Sequence, residues 1–67
     1  MNFTYVNSSD LNGIAINGNN LIIKFNSGGI YEYIGAAREY DMLLNAGSKG
    51  KYFHQFIKDN YQFIKIN

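Results

Sequence analysis

Ser48-Lys49-Gly50-Lys51 is the stretch of this chain best suited to hold a charged ligand. A serine at a helix start caps it, while free backbone N–H groups, the helix dipole and two lysines favour a phosphate or carboxylate. The stretch is not a Walker A loop. Gly-x4-Gly-Lys-[Ser/Thr] fails because Asn45 stands at its first glycine and Tyr52 at its Ser/Thr position. The same residues also read as an ordinary N-cap, with Gly50 easing a tight turn between two helices. Lys51, His54 and Lys58 recur at helical spacing and make a basic stripe. Such a stripe can track a nucleic-acid backbone, or it can be the solvated face of an amphipathic helix.

Tyr31 and Tyr33 alternate along a predicted strand and so share one face. On an open face they form a platform on which bases stack for ~1–3 kcal/mol each. Beneath a helix they are core or half-core residues whose hydroxyls seek a partner. The register decides between these: if Ile30 and Ile34 face the helices, the tyrosines are open, and in the reverse register they are core. His54 has the chemistry of a general base, but no Ser–His–Asp spacing or placed carboxylate pair accompanies it. With no cysteine and one histidine, the chain offers no metal ligand set and calls for no cofactor. No catalytic residue is assigned, and the expectation is a protein that is not an enzyme.

The elements that position these residues follow from periodicity. Ile14-Ala15-Ile16, then Leu21 to Phe25, then Ile30 to Ile34 read as strands joined by Asn17-Gly18-Asn19-Asn20 and Ser27-Gly28-Gly29. Leu21, Ile23 and Phe25 share a face opposite Lys24. Phe3 to Val6 reads as a further strand and Gln62 to Ile66 as a closing one. From Ala36 the period becomes helical, with Ala36, Ala37, Tyr40, Leu43 and Leu44 on one face and Gly47 as the stop. A second helix over about 50–60 carries Tyr52, Phe53, Phe56 and Ile57 as its apolar arc. The expected fold is α+β: a small antiparallel β-meander of three to five strands covered by two short helices, in a single domain over 1–67.

Composition excludes much and selects little. A chain of 67 residues buries roughly 60% of its unfolded surface, so its core is small. Lys24 and Arg38 against Asp10, Glu32, Glu39 and Asp41 give −2 over residues 1–48, while Lys49, Lys51, Lys58 and Lys65 against Asp59 give +3 over 49–67. The overall +1 therefore averages two unlike parts. Leu21-Ile22-Ile23 is far shorter than the ~20 apolar residues that span a bilayer, and no secretory signal is visible. The expectation is a cytoplasmic protein with no membrane association. Ten asparagines and nine isoleucines fit an AT-rich bacterial or phage gene.

Val6-Asn7-Ser8-Ser9, Leu21-x-x-x-Phe25-x-x-Gly28-x-x-Tyr31-x-Tyr33, Ala46 to Phe53 and Ile57-Lys58-x-x-Tyr61 together resemble the KTSC domain, a module at the C-terminus of some lysyl-tRNA synthetases. The resemblance runs from about Val6 to Ile66 and implies a free-standing copy of that module. Its Tyr-x-Tyr falls on Tyr31-Glu32-Tyr33 and its helix start on Ser48 to Phe53. Ile34-Gly35-Ala36-Ala37 replaces a common Val-Pro pair, His54 stands where Asn is frequent, and the usual Tyr-Asp after Ile14 is missing. The synthetase context implies RNA binding by analogy, with no catalytic residues.

Two functional readings follow. One is a binding module for RNA or a small nucleotide, using Ser48, Lys49, Gly50, Lys51, His54 and Lys58 with Tyr31 and Tyr33. The other is a protein-interaction or phage-encoded regulatory module, for example one that sequesters a host factor or a nucleotide immune signal. Self-association into a homo-oligomer is part of the second, because an exposed meander edge and a small core both gain from pairing.

Overall fold

Five antiparallel strands follow one another across a single sheet in chain order in the computed structural model, which describes residues 2–67. They are β1 (Thr4–Tyr5), β2 (Leu11–Asn17), β3 (Asn20–Phe25), β4 (Ile30–Tyr33) and β5 (Phe63–Lys65). β2 and β3 meet through Asn17 opposite Asn20, with Gly18 at φ 60°. Gly18 is the only residue of that two-residue loop with positive φ, which gives the turn whose first central position requires glycine.

β2 begins three residues before the expected Ile14. A bulge between Leu11 and Gly13 inserts Asn12, so Leu11 pairs with Phe25 while Gly13 pairs with Lys24. In a regular strand Leu11 and Ile14 would point to opposite faces; the extra residue puts both into the core. The outer strands are also shorter than expected, two residues in β1 and three in β5.

Between β4 and β5 lies the helical cover. Gly35 turns the chain at φ 77° into a 3₁₀ turn, Ala36–Glu39, which leads into α1 (Tyr40–Leu44). The turn is tied back to the first hairpin: Gly35 N–H donates to Asn20 Oδ1 at 2.8 Å and Ala37 N–H to the Asn19 carbonyl at 2.9 Å. α2 (Lys49–Tyr52) continues directly into a π-helical turn, Phe53–Ile57, closed by Lys58 N–H on the Phe53 carbonyl at 2.9 Å. Leu11, Ile14, Leu21, Ile23 and Tyr33 from the sheet close on Ala36, Leu43, Phe53 and Ile57 from the helical segments. Phe56 departs from its expected place in the apolar arc. It is 43% exposed and packs on Tyr52, ring centroids 4.6 Å apart, because the widened turn presents only Phe53 and Ile57 to the sheet.

Register settles the tyrosines. Tyr31 lies opposite Ile23 and Tyr33 opposite Leu21, both core residues, so the two tyrosines face the helices and Ile30 and Glu32 face away. Tyr33 is buried and Tyr31 half-buried. On the other face Ala15 and Ile22 are buried beside Glu32, whose Oε2 accepts from Asn17 and Asn20 at 3.0 and 2.9 Å. Around them Tyr5, Ile64 and Ile66 remain 67%, 60% and 45% exposed. Among the described residues no helix is long and apolar enough to cross a membrane.

Candidate functional site

The loop ahead of β2 is held rigidly from both sides. Ser8 Oγ accepts from the N–H groups of Asp10 and Leu11, both at 3.2 Å. Asn26, in the β3–β4 turn, donates its backbone N–H to the Asp10 carbonyl at 2.9 Å and its side chain to the Ser8 carbonyl at 2.8 Å. This fixes the Asp10 carboxylate against the second helical segment, where Oδ2 lies 3.5 Å from His54 Nε2. Both side chains are about half exposed.

A groove opens on each side of this pair. The larger, about 750 Å³, is lined by Ser9, Ser48, Gly50, Lys51 and Gln55 together with Asp10 and His54. Ser48 caps α2 as expected, its Oγ accepting from Lys51 N–H at 3.3 Å. The smaller groove, about 380 Å³, is floored by Tyr33 and Phe53 and walled by Phe25, Tyr31 and Phe63, with Lys58 at its rim. Asp10 and His54 line both grooves, so the two adjoin along this pair.

The fold thus gathers Ser48, Gly50, Lys51 and His54 around one groove, and Lys58, Tyr31 and Tyr33 around its neighbour. Lys49 lines neither: its Nζ donates to the Ala46 carbonyl at 3.2 Å, closing the turn that follows α1. Asp10, Phe25 and Phe63 were not legible as site residues. Asp10 is far from His54 in sequence and only the docking of the helical cover beside the loop ahead of β2 brings them together; the two phenylalanines read as generic strand residues. Among the described residues no cluster of three His, Cys, Asp or Glu side chains is placed to hold a metal.

Behind the grooves a second polar cluster anchors the cover. Tyr52 and Tyr61 donate their hydroxyls to the two oxygens of Glu39 at 2.6 and 2.7 Å. Arg38 Nε donates to the Tyr61 hydroxyl at 2.7 Å, its guanidinium carbon 5.4 Å from that ring's centre. The hydrogen bond to Glu39, with added burial and the negative charge nearby, pushes the Tyr52 phenol from its usual 10.0 up to about 12. Burial, with Tyr31 beside it, pushes Tyr33 up to about 12 as well. Both raised values mean that the folded state holds the phenolic proton more tightly than the unfolded chain. Stability is therefore full below pH 10 and falls as pH rises from 10.0 to about 12. Urea midpoints measured across that range should decline, and less steeply in Tyr52→Phe; a flat profile refutes the clamp.

Comparison with known proteins decides what kind of module carries these grooves. A family model described as the KTSC domain matches residues 7–61. The chain belongs to the KTSC domain family. The crystal structure of a KTSC domain protein from Yersinia pestis superposes with a TM-score of 0.91 at 32% identity, covering 98% of this chain and 97% of that one. Two curated proteins, each called lysine–tRNA ligase, are 42% identical (Nostoc sp.) and 40% identical (Trichormus variabilis) over 48 residues. That stretch is 70% of this chain and 9% of each ligase, so the chain spans a small part of those relatives' length. Within this chain the KTSC match includes every residue lining the larger groove and ends before Phe63, which walls the smaller one.

Proposed function

We propose that this KTSC domain is a non-enzymatic binding module for an anionic, nucleotide-type ligand. The observation that supports it is the pair of adjoining grooves, one lined by Ser48, Gly50, Lys51 and His54 and the other by His54 and Lys58. Serine hydroxyl and ammonium groups donate hydrogen bonds to phosphate oxygens, and charge-assisted bonds of that kind are the stronger ones. Asp10 opposes them, since its carboxylate repels an anion and occupies His54. The site is thus suited to modest, salt-sensitive affinity. The relatives named lysine–tRNA ligase favour RNA as one source of the nucleotide. The test is calorimetry and filter retention with a mixed RNA pool and a set of mononucleotides at low and high salt. Binding that weakens as salt rises is expected; no binding to any of them at low salt ends the reading.

A second reading, a regulatory module that acts by protein contact or self-association, draws on the exposed Tyr5, Ile64 and Ile66. Apolar side chains beside an unpaired edge strand favour pairing. On this reading light scattering at high concentration gives a mass above the 7.6 kDa of one chain. A value that stays at one chain counts against it.

A further inference from the structure

We infer that the smaller groove is a nucleobase subsite, in which the base of the ligand lies against Tyr31 and Phe63 while its phosphate reaches Lys58 at the rim or Ser48 and Lys51 in the groove next door. The inference rests on the nucleotide-type reading above and adds to it the part of the ligand that carries no charge.

Three observations lead there. The walls are aromatic and held in place: Tyr31 packs edge-on with Phe25 (5.7 Å, 78°) and with Phe63 (5.6 Å, 66°), and Phe25 packs edge-on with Phe53 (5.2 Å, 69°). Phe63 is 54% exposed on the last strand, so aromatic surface is already presented to solvent without any rearrangement. Such surface accepts any base, because every base has a π-face. Secondly, the groove is not purely apolar. The hydroxyls of Tyr31 and Tyr33, two of its lining residues, make no hydrogen bond among the described residues, so groups able to pair with a base edge are in place. Thirdly, the groove adjoins the one that carries Ser48 and Lys51, the two sharing Asp10 and His54, and Lys58 lines its own side. One ligand that occupies both must join a flat, hydrogen-bonding aromatic group to an anion. A nucleotide does so. The volume, about 380 Å³, lies within the ~300–1,000 Å³ typical of small-molecule sites.

The expectation differs from a two-tyrosine platform. Tyr33 serves as floor and is buried, whereas the stacking surface comes from Tyr31 on β4 and Phe63 on β5, which are adjacent strands.

Isothermal calorimetry at low salt with AMP, ribose 5-phosphate and adenosine separates the two halves. AMP should bind roughly 5- to 150-fold more tightly than ribose 5-phosphate, the ratio that stacking of one base supplies. Phe63→Leu, which keeps an apolar residue on an exposed edge, should lower AMP affinity toward that of ribose 5-phosphate and leave the latter unchanged. Tyr31→Leu should do the same. Equal affinities for AMP and ribose 5-phosphate overturn the base subsite and leave the anion reading standing. Adenosine binding without ribose 5-phosphate binding supports the subsite and overturns the anion reading. If none of the three binds, both fall. An RNA trinucleotide of adenosine that binds more tightly than AMP assigns the base to a strand, and equal binding assigns it to a free nucleotide; either outcome supports the subsite.

Discussion

Phe53→Ala is expected to remove at least about 3 kcal/mol of the fold's stability. Phe53 sits where the π-helical turn meets the sheet, buried, with its ring centre 5.2 Å from Phe25 and 5.5 Å from Tyr33. Truncating a core phenylalanine costs about 3–5 kcal/mol through lost transfer energy and the cavity left behind. A domain of 67 residues has a total stability of roughly 3–10 kcal/mol. The loss consumes much or all of that. Circular dichroism and urea titration check it: the expected result is a loss of the cooperative transition or a fall in midpoint equivalent to at least about 3 kcal/mol. Phe56→Ala is the control. Phe56 packs on Tyr52 rather than in the core, and its loss should cost roughly 1 kcal/mol. Equal effects of the two substitutions would show that the helical cover is docked differently.

Lys51→Glu with Lys58→Glu is expected to abolish low-salt nucleotide binding while the fold persists. Both side chains are exposed, so neither contributes to the core. Each reversal removes a donor and adds a repelling carboxylate beside Asp10, and the pair takes the net charge from +1 to −3. Losing one or two charge-assisted contacts amounts to about 3 kcal/mol, roughly a hundredfold in affinity. Asp10→Asn should move the affinity the other way, because it removes the one carboxylate that lines both grooves. Calorimetry with AMP reads both. Unchanged affinity in the double variant would place the ligand elsewhere on the chain.

What could be read directly from the amino-acid order was whatever local chemistry decides. Gly18 marks its hairpin because positive φ is cheap only for glycine, and Ser48 marks a helix start because its hydroxyl reaches the Lys51 N–H. The meander, the helical cover and the family were all legible on that basis. Leu11 was not, since a bulge is invisible to strict alternation and Leu11 falls out of phase with Ile14. Phe56 was misplaced because a 3.6-residue period does not describe a π turn. Tyr31 and Tyr33 were legible as a pair on one face, but which face depends on β3 and on the helices that close over it. The candidate site was half visible. Lys51, His54 and Lys58 declare themselves by charge and spacing, whereas the partner carboxylate of Asp10 arrives through tertiary contact alone. Lys49, the neighbour of Lys51 in sequence, is turned away by a backbone carbonyl that no sequence pattern announces.

The strand order also governs how the molecule comes together. β1 to β4 pair with their sequence neighbours across short connections, so those pairings close quickly and at small entropic cost. β5 is the exception, because it reaches β4 only after both helical segments have been laid down between them. It contributes three residues, all exposed, and its long connection makes it a late seam of the sheet to close. Phe63 belongs to that seam. A ligand held against Phe63 and Tyr31 together would therefore act as a clasp on the C-terminal strand, so that occupancy of the groove and closure of the fold reinforce one another.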